Sequence, residues 1–362
     1  MKKQVLFILL ILFIIIISCE EIYKPDLKVE GNFLVVEAIL YADNQYNYIY
    51  LYKSREFGNN NASFERISGA NIFLTDDNGT KIQAAENGTG NYRLEYQLEE
   101  NRTYYLTIET GGETYISETQ SIREVPKIDT VYGAYEDNVY TTGAASSTDD
   151  IITKHGIRLF ADISYQGSLN YYRFDGRKIL QYQDHYDTVI GGVTYELPIY
   201  GWRSYYPTGS FNIAGPPEYS TEKNITKHHL EFFIENYYEL IADTQYFKGW
   251  IYIIEQYGLN RNTFDYYKSL NSQLESEGKI FDPVYVQAEG NISCPSNPES
   301  IVLGNFEISS HNEYRYFLRY NRNHEEFDLK PIPYFYDIPE NGYIKDIMPD
   351  FWEALNKKYP DE

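Results

Sequence analysis

The sequence is poor in cysteine, with only Cys19 and Cys294 among its 362 residues. A dense disulfide framework, the usual support of small secreted domains, is therefore excluded. If Cys19 is chemically modified, Cys294 has no partner within the chain. We then expect Cys294 to be a buried, inert thiol, and the fold to depend on the packing of a hydrophobic core.

Positive charge is also in short supply. The chain has 31 Lys and Arg residues against 53 Asp and Glu, which gives a formal net charge of −22 at pH 7. Nucleic acid is not an expected partner, because binding it requires basic side chains that neutralise phosphates. Charge alone would not hold this chain on an anionic lipid surface either.

Motifs for catalysis or metal binding are missing. The sequence has no Cys-x-x-Cys, no Gly-x-Ser-x-Gly, no phosphate loop and no complete Gly-x-Gly-x-x-Gly. His228 and His229 are adjacent, so on a strand they point to opposite faces and cannot converge on one ion. We expect no metal, no cofactor and no catalytic residue, although the many carboxylates leave a glycosidase pair open.

The longest apolar run lies near the start of the chain. It extends from Val5 to Ile17 behind two lysines, which is shorter than the roughly 20 residues of a membrane span and fits a signal peptide. The run ends at Ile16-Ile17-Ser18-Cys19, which resembles the lipobox of bacterial lipoproteins. We predict a signal peptide over residues 1–18 and a lipid on Cys19. The alternative is an ordinary secreted protein with a cysteine there by chance.

Residues 19–26 follow as a short polar tether. Cleavage after residue 18 leaves 29 basic against 53 acidic residues, a net charge of −24, so attachment to a membrane would depend on the acyl chains. The acidic start of the tether, Glu20-Glu21, resembles the export signal that sends some Bacteroidota lipoproteins to the outer face of the cell. A plain solvated tether is the alternative.

Residues 27–125 have the pattern of a β-sandwich. Apolar runs at 33–40, 48–52 and 70–75 are separated by turn residues, and Asp76-Asp77-Asn78-Gly79 is a tight-turn sequence. About seven short strands predict an immunoglobulin-like or transthyretin-like sandwich.

Residues 126–330 predict a larger antiparallel β domain. Alternating apolar residues at 157–163 indicate a strand, which we place beside a second strand at 171–180. One amphipathic helix is predicted at 263–277, with Asn262 as its cap.

The remaining residues, 331–362, form a tail rich in proline and tyrosine. Together with the two predicted domains, this makes the chain mostly β with one clear helix.

Aromatic residues supply the one lead to a contact surface. Residues 186–220 contain paired glycines together with Trp202, Tyr205 and Tyr206, and we interpret the segment as an exposed loop. These three side chains could stack on a sugar or dock on a receptor rim. Packing within the second domain is the alternative.

Several segments in this order resemble a Bacteroidota outer-membrane lipoprotein family known as domain of unknown function four-two-four-nine. The matching segments are Leu34-Val35-Val36-Glu37, Ser68-Gly69-Ala70-Asn71-Ile72, Gly90-Asn91-Tyr92, Tyr104-Tyr105-Leu106-Thr107-Ile108, Val125-Pro126-Lys127-Ile128-Asp129, Phe264-Asp265-Tyr266-Tyr267, Gly290-Asn291-Ile292 and Val302-Leu303-Gly304-Asn305-Phe306. Ala38 departs from the glycine that is usual in the family.

The resemblance implies a surface-directed lipoprotein, commonly paired with a TonB-dependent receptor, and it implies no catalytic residues. We therefore expect a non-enzymatic binding or accessory subunit of such a transporter at the outer membrane. Two alternatives stay open: a structural or assembly role in an outer-membrane complex, and a surface hydrolase.

Overall fold

The computed structural model describes residues 33–54, 64–142, 150–167, 171–216, 221–234, 245–275, 288–321, 326–332, 334, 338 and 342–345. Cys19, the predicted signal peptide and the tether lie outside these residues. Within the described part of the chain, no helix is long and apolar enough to cross a membrane.

The described residues form 21 strands and one helix, α1 (Arg261–Glu275). The strands are β1 Leu34–Tyr41, β2 Tyr46–Lys53, β3 Glu65–Arg66, β4 Asn71–Asp76, β5 Lys81–Glu86, β6 Asn91–Glu95, β7 Thr103–Thr110, β8 Glu113–Ser117, β9 Gln120–Ser121, β10 Thr130–Thr142, β11 Asp150–Ile163, β12 Tyr172–Ile190, β13 Val193–Tyr205, β14 Asn212–Ala214, β15 Ile225–Ile234, β16 Tyr246–Gly258, β17 Ile292–Ser293, β18 Val302–Ser309, β19 His311–Asn321, β20 Glu326–Pro331 and β21 Gly342–Lys345. The predicted mostly-β fold with one helix is confirmed.

The first sheet folds over on itself to enclose a core. Its strand order is β17-β8-β7-β4-β5-β6-β2-β1-β18, with β3 on β2 and β9 on β7. The turn of the sheet lies at β5, which pairs with β4 on one side and β6 on the other. Side chains such as Val36 and Leu106 from the two halves meet in one buried cluster. This is the sandwich-like organisation that the short apolar runs and turn residues of 27–125 predict.

The first sheet also contains strands from late in the chain. β18 pairs with β1 in parallel, from Leu34 opposite Val302 to Tyr41 opposite Ser309, and β17 pairs with β8. Both strands fall within the predicted second domain, 126–330. The sequence-based boundaries stay a prediction, yet the pairing shows that the chain returns to its first sheet before it ends.

The second part of the chain contains two antiparallel sheets that pack face to face. One has the order β10-β11-β15, and the other has the order β20-β19-β16-β12-β13-β21 with β14 on β12. Leu159 and Phe233 from the three-stranded sheet share a buried cluster with Leu180, Trp250 and Ile254 from the seven-stranded sheet. The prediction that the strands at 157–163 and 171–180 are neighbours in one sheet is wrong, because they meet across this core.

The seven-stranded sheet is covered on both faces. Trp250, Tyr252 and Ile254 of β16 face the cluster shared with the three-stranded sheet. Ile251 and Ile253 lie in a second cluster on the opposite face. A strand that is buried on both faces has a nearly continuous apolar sequence, and this explains why β16 lacks an alternating pattern.

The predicted loop at 186–220 is wrong over most of its length. β12 and β13 form a long hairpin that pairs from Lys178 opposite Tyr205 to Ile190 opposite Val193. Gly191 and Gly192 make its two-residue turn with φ values of 62° and 83°. Residues other than glycine rarely adopt such values. The paired glycines of this segment therefore form a hairpin turn.

Helix α1 joins the two parts of the molecule. It begins at Arg261, so Asn262 lies inside its first turn and the predicted cap is wrong. Asn262 Nδ2 instead donates to Glu118 Oε2 at 2.6 Å. Asn260, which directly precedes the helix, donates to the side chain of Gln120 and to the carbonyl of Ser121. These bonds fix the start of the helix to the edge of the first sheet.

Candidate functional site

A cleft of about 520 Å³ lies where the end of β13, strands β12, β14 and β15, and helix α1 come together. Its walls carry a mixture of aromatic, amide, imidazole and charged side chains. The lining side chains include Lys178, Tyr206, Phe211, Asn212, His228, His229, Glu231 and Asn271.

The loop between β13 and β14 forms one wall and is fixed to the helix. Asn271 Oδ1 accepts from the Phe211 backbone N–H at 2.7 Å, and Asn271 Nδ2 donates to the Phe211 carbonyl at 2.7 Å. The Phe211 ring also packs on Tyr267 of α1 with the ring centroids 4.8 Å apart. Because both backbone groups of Phe211 are bonded to a helix side chain, the loop is held in one position before any ligand arrives.

The opposite wall is the edge strand β15. Asn212 Nδ2 donates to the carbonyls of His229 and Leu230, at 3.0 and 3.1 Å. The Asn212 amide oxygen must then face His228 Nε2, 2.7 Å away, so this ring nitrogen carries the proton. Asn212 thus caps an exposed sheet edge and fixes the tautomer of a histidine in the cleft.

Both histidines are held neutral. Burial, followed by the nearby His229, lowers the pKa of His228 to about 4. Burial and the charge of Arg158 lower the pKa of His229. Arg158 Nη1 lies 3.1 Å from His229 Nε2, and since a guanidinium only donates, that nitrogen accepts. His228 contacts Asn212 of β14 and His229 contacts Arg158 of β11, as expected for neighbours that point to opposite faces of a strand. Both nevertheless line the cleft.

The charged side chains at the cleft are paired. Lys178 Nζ lies 3.3 Å from Glu231 Oε1. Arg158 Nε lies 2.8 Å from Glu136 Oε2 on the neighbouring strand. The cleft therefore carries little net charge within a strongly acidic chain.

The structure brings only one of the three predicted contact residues to the cleft. Tyr206 lines it and is 58% exposed. Trp202 is 2% exposed and lies in a buried cluster with Ile251. The Tyr205 ring packs on Trp250 with the centroids 5.9 Å apart. Trp202 and Tyr205 thus pack within the second part of the molecule, which is the alternative that the sequence left open. They lie on opposite faces of β13, and both faces of this sheet are covered.

A family model described as Domain of unknown function (DUF4249) matches residues 20–315. The chain belongs to this family. The family membership inferred from the sequence motifs is thereby confirmed, whereas the lipoprotein character and the Bacteroidota origin stay predictions. The DUF4249 match begins directly after Cys19 and contains every residue that lines the cleft. No curated protein matches the chain.

A second aromatic surface of this DUF4249 chain lies on the outer side of the first sheet. Tyr46, Tyr48, Tyr50 and Tyr52 alternate along β2 with buried residues, and a groove of about 240 Å³ runs beside the first three. The guanidinium groups of Arg93 and Arg66 lie over Tyr46 and Tyr50, at 5.4 and 5.9 Å from the ring centroids. Cations already cover two of these rings, so the surface offers less open aromatic area than its sequence indicates.

Cys294 is buried, as expected for an inert thiol. Its sulfur lies 3.2 Å from Glu113 Oε2, and hydrogen bonds from Ser296 and Cys294 lower the pKa of the Glu113 carboxyl. Among the residues that the structure describes, no group of three or more His, Cys, Asp or Glu side chains is placed to hold a metal ion. Cys19 lies outside the described residues.

Sequence reasoning missed most of the cleft. Asn212, Asn271 and Phe211 have no recognisable motif, and they meet only because β14 returns to pair with β12 and helix α1 packs beside it. The adjacent histidines were the one available signal, although as a pair on a strand they predict no shared site.

Proposed function

We propose that this chain is a lipid-anchored, non-enzymatic binding protein of the outer membrane that acts as an accessory subunit of a TonB-dependent transporter. The observation that carries the binding role is the cleft beside α1. Its loop wall is fixed by Asn271, and its ionic groups are paired. Such a site is suited to hold a ligand in one geometry, because its polar groups are already oriented and need little rearrangement.

The chemistry of the cleft favours binding over turnover. A general base needs a pKa near the working pH, whereas burial lowers the pKa of His228 to about 4. The proton on its Nε2 is committed to Asn212, and Glu231 is paired with Lys178. These side chains are therefore better placed to orient a ligand than to move a proton.

The location and the partner rest on the sequence. The lipobox-like segment ending at Cys19 supports acylation, and acyl chains would tether a chain whose charge opposes adsorption to anionic lipid. Membership of the DUF4249 family, with the receptor pairing that the sequence resemblance implies, supports a transporter as the partner.

Affinity purification from detergent-solubilised envelopes tests this proposal. The full chain with a C-terminal tag should recover an outer-membrane barrel protein in near-stoichiometric amount. The matched control is Cys19→Ser, which should remain unprocessed and recover much less of the barrel. Recovery of the tagged chain alone, under conditions that keep other envelope complexes intact, would contradict the accessory role.

A structural or assembly role is the second candidate, and the tyrosine face of β2 favours it. Tyrosine is enriched at protein interfaces because its ring buries much area at small entropic cost. Tyr46 and Tyr48 are exposed on this sheet face. Recovery of assembly proteins without a transporter in the same purification would favour this role.

A further inference from the structure

The electrostatics of the cleft select against a charged ligand. Lys178 is paired with Glu231, and Arg158 contacts both Glu136 and His229. An anionic or cationic ligand would have to compete with these existing pairs and would lose part of its hydration without a new counter-charge. An uncharged ligand avoids both costs.

The geometry of β15 selects against a peptide that adds to the sheet as a strand. β15 is the edge of its three-stranded sheet, and such an edge normally offers its backbone to an incoming strand. Here the Asn212 amide already donates to the carbonyls of His229 and Leu230. A peptide strand would have to displace Asn212 from both carbonyls and from its bond with His228.

The remaining features of the cleft fit a ligand with hydroxyl groups and a flat apolar face. Tyr206 is 58% exposed and Phe211 is 37% exposed, so both present aromatic area. Since His228 Nε2 carries the proton, its Nδ1 has a lone pair and is able to accept a hydrogen bond. The sugar ring of a pyranose combines a C–H face that packs on an aromatic ring with hydroxyls that donate and accept hydrogen bonds.

We propose that the cleft beside α1 binds a neutral carbohydrate, with a sugar ring packed on Tyr206 and hydroxyl groups directed toward the histidine and asparagine wall. The proposal rests on the proposed function in one respect, that the chain is a binding protein. It adds the ligand class and the residue that carries the stacking contact.

Isothermal titration calorimetry on the full mature protein tests the assignment, in a detergent without a sugar headgroup. The neutral probes are maltohexaose, cellohexaose and xylohexaose. Hexagalacturonate is the anionic comparison, and the hexapeptide (Gly-Ser)3 with blocked ends is the peptide comparison. Tyr206→Ala removes the stacking ring. Tyr48→Ala is the matched control, because Tyr48 is a partly exposed tyrosine on the other aromatic surface.

We expect at least one neutral hexasaccharide to bind, with an affinity about tenfold weaker in Tyr206→Ala and unchanged in Tyr48→Ala. The affinity should change less than about twofold between 50 and 500 mM NaCl, because salt screens ionic contacts and not stacking. Hydrogen–deuterium exchange should show that both variants keep the native protection of β12 and β16.

Three results would overturn the assignment. Sugar binding that survives Tyr206→Ala, or that is lost in Tyr48→Ala, would remove it from the cleft. Tighter binding of hexagalacturonate or of the peptide would reject the neutral carbohydrate class. Binding of no neutral hexasaccharide would also reject it. In each case, recovery of a barrel partner from envelopes would still support the accessory function. Failure of the carbohydrate assignment is therefore distinguishable from failure of the proposed function.

Discussion

Arg173 of β12 and Glu307 of β18 form a buried ion pair between the two parts of the molecule, with Nη2 3.3 Å from Oε1 and side-chain exposures of 5% and 1%. Tyr267 of α1 donates to the other Glu307 oxygen at 2.8 Å, and the Arg173 guanidinium lies 4.3 Å from the centroid of the Tyr257 ring. Asp175 also contacts Arg173. One side chain thus ties the seven-stranded sheet to the first sheet and to the helix.

Arg173→Met should be strongly destabilising. The substitution leaves the Glu307 carboxylate buried without its counter-charge, and breaking a buried pair in this way costs about 3–5 kcal/mol. Arg93→Met is the matched control, because Arg93 pairs with Glu95 at the surface with exposures of 41% and 54% and such pairs are worth about 0–1 kcal/mol. Urea unfolding followed by fluorescence measures both. Equal losses of unfolding free energy in the two variants would contradict the stabilising role of the Arg173–Glu307 pair.

Gly304→Ala should disrupt the parallel pairing of β1 with β18. Gly304 has a φ of +93°, and a Cβ there would lie 1.9 Å from the Val36 carbonyl oxygen. Gly112→Ala is the control, since Gly112 has a φ of +82° with nothing within 4 Å of an added Cβ. Both substitutions carry a left-handed backbone cost of about 1 kcal/mol, and only the first adds a clash. Unfolding midpoints should fall much further for Gly304→Ala, and matched midpoints would refute the close approach.

His228 should make the stability depend on pH. Its pKa is lowered from 6.5 to about 4 by burial and then by His229, so between these values the unfolded chain binds the proton and the folded chain does not. Stability contributed by the neutral ring is complete above pH 6.5 and is lost as the pH falls toward 4. Unfolding free energies at pH 7 and pH 4.5 should differ more in the native protein than in His228→Gln. Parallel losses in both proteins would show that this histidine titrates normally.

Asn271→Ala should release the cleft loop without unfolding the helix. The substitution removes both hydrogen bonds to Phe211, which costs about 1–3 kcal/mol locally. Hydrogen–deuterium exchange of residues 206–211 should become faster, with β16 unchanged. Ser272→Ala is the control, because the Ser272 hydroxyl donates within the helix, to the Lys268 carbonyl. Unchanged exchange in Asn271→Ala would mean that the loop is held by other contacts.

The fold class could be predicted from the sequence because alternation, turn residues and one amphipathic helix are local signals. The apolar runs at 33–40 and 48–52 correspond to β1 and β2, and α1 lies within two residues of its predicted start and end. The return of β17 and β18 to the first sheet could not be predicted, because strand pairing over about 175 residues for β17 and more than 250 residues for β18 leaves no local trace. The hairpin of β12 and β13 differs from the predicted loop because paired glycines are compatible with both a loop and a tight turn.

The candidate site was predictable only in part, for a related reason. The aromatic segment near paired glycines predicts Trp202, Tyr205 and Tyr206 as contact residues, and of these Tyr206 lines the cleft. Trp202, four residues earlier on β13, lies in a core. Asn212 and Asn271 were missed because their role depends on which backbone groups the topology brings within reach.

The most direct test of the account concerns the modification at Cys19, since the assigned membrane location and transporter partnership both depend on it. The measurement is mass spectrometry of the N-terminal peptide from protein purified out of native membranes. We predict that residues 1–18 are absent and that Cys19 carries a diacylglyceryl group. An intact leader, or an unmodified Cys19 thiol at the mature N-terminus, would contradict it.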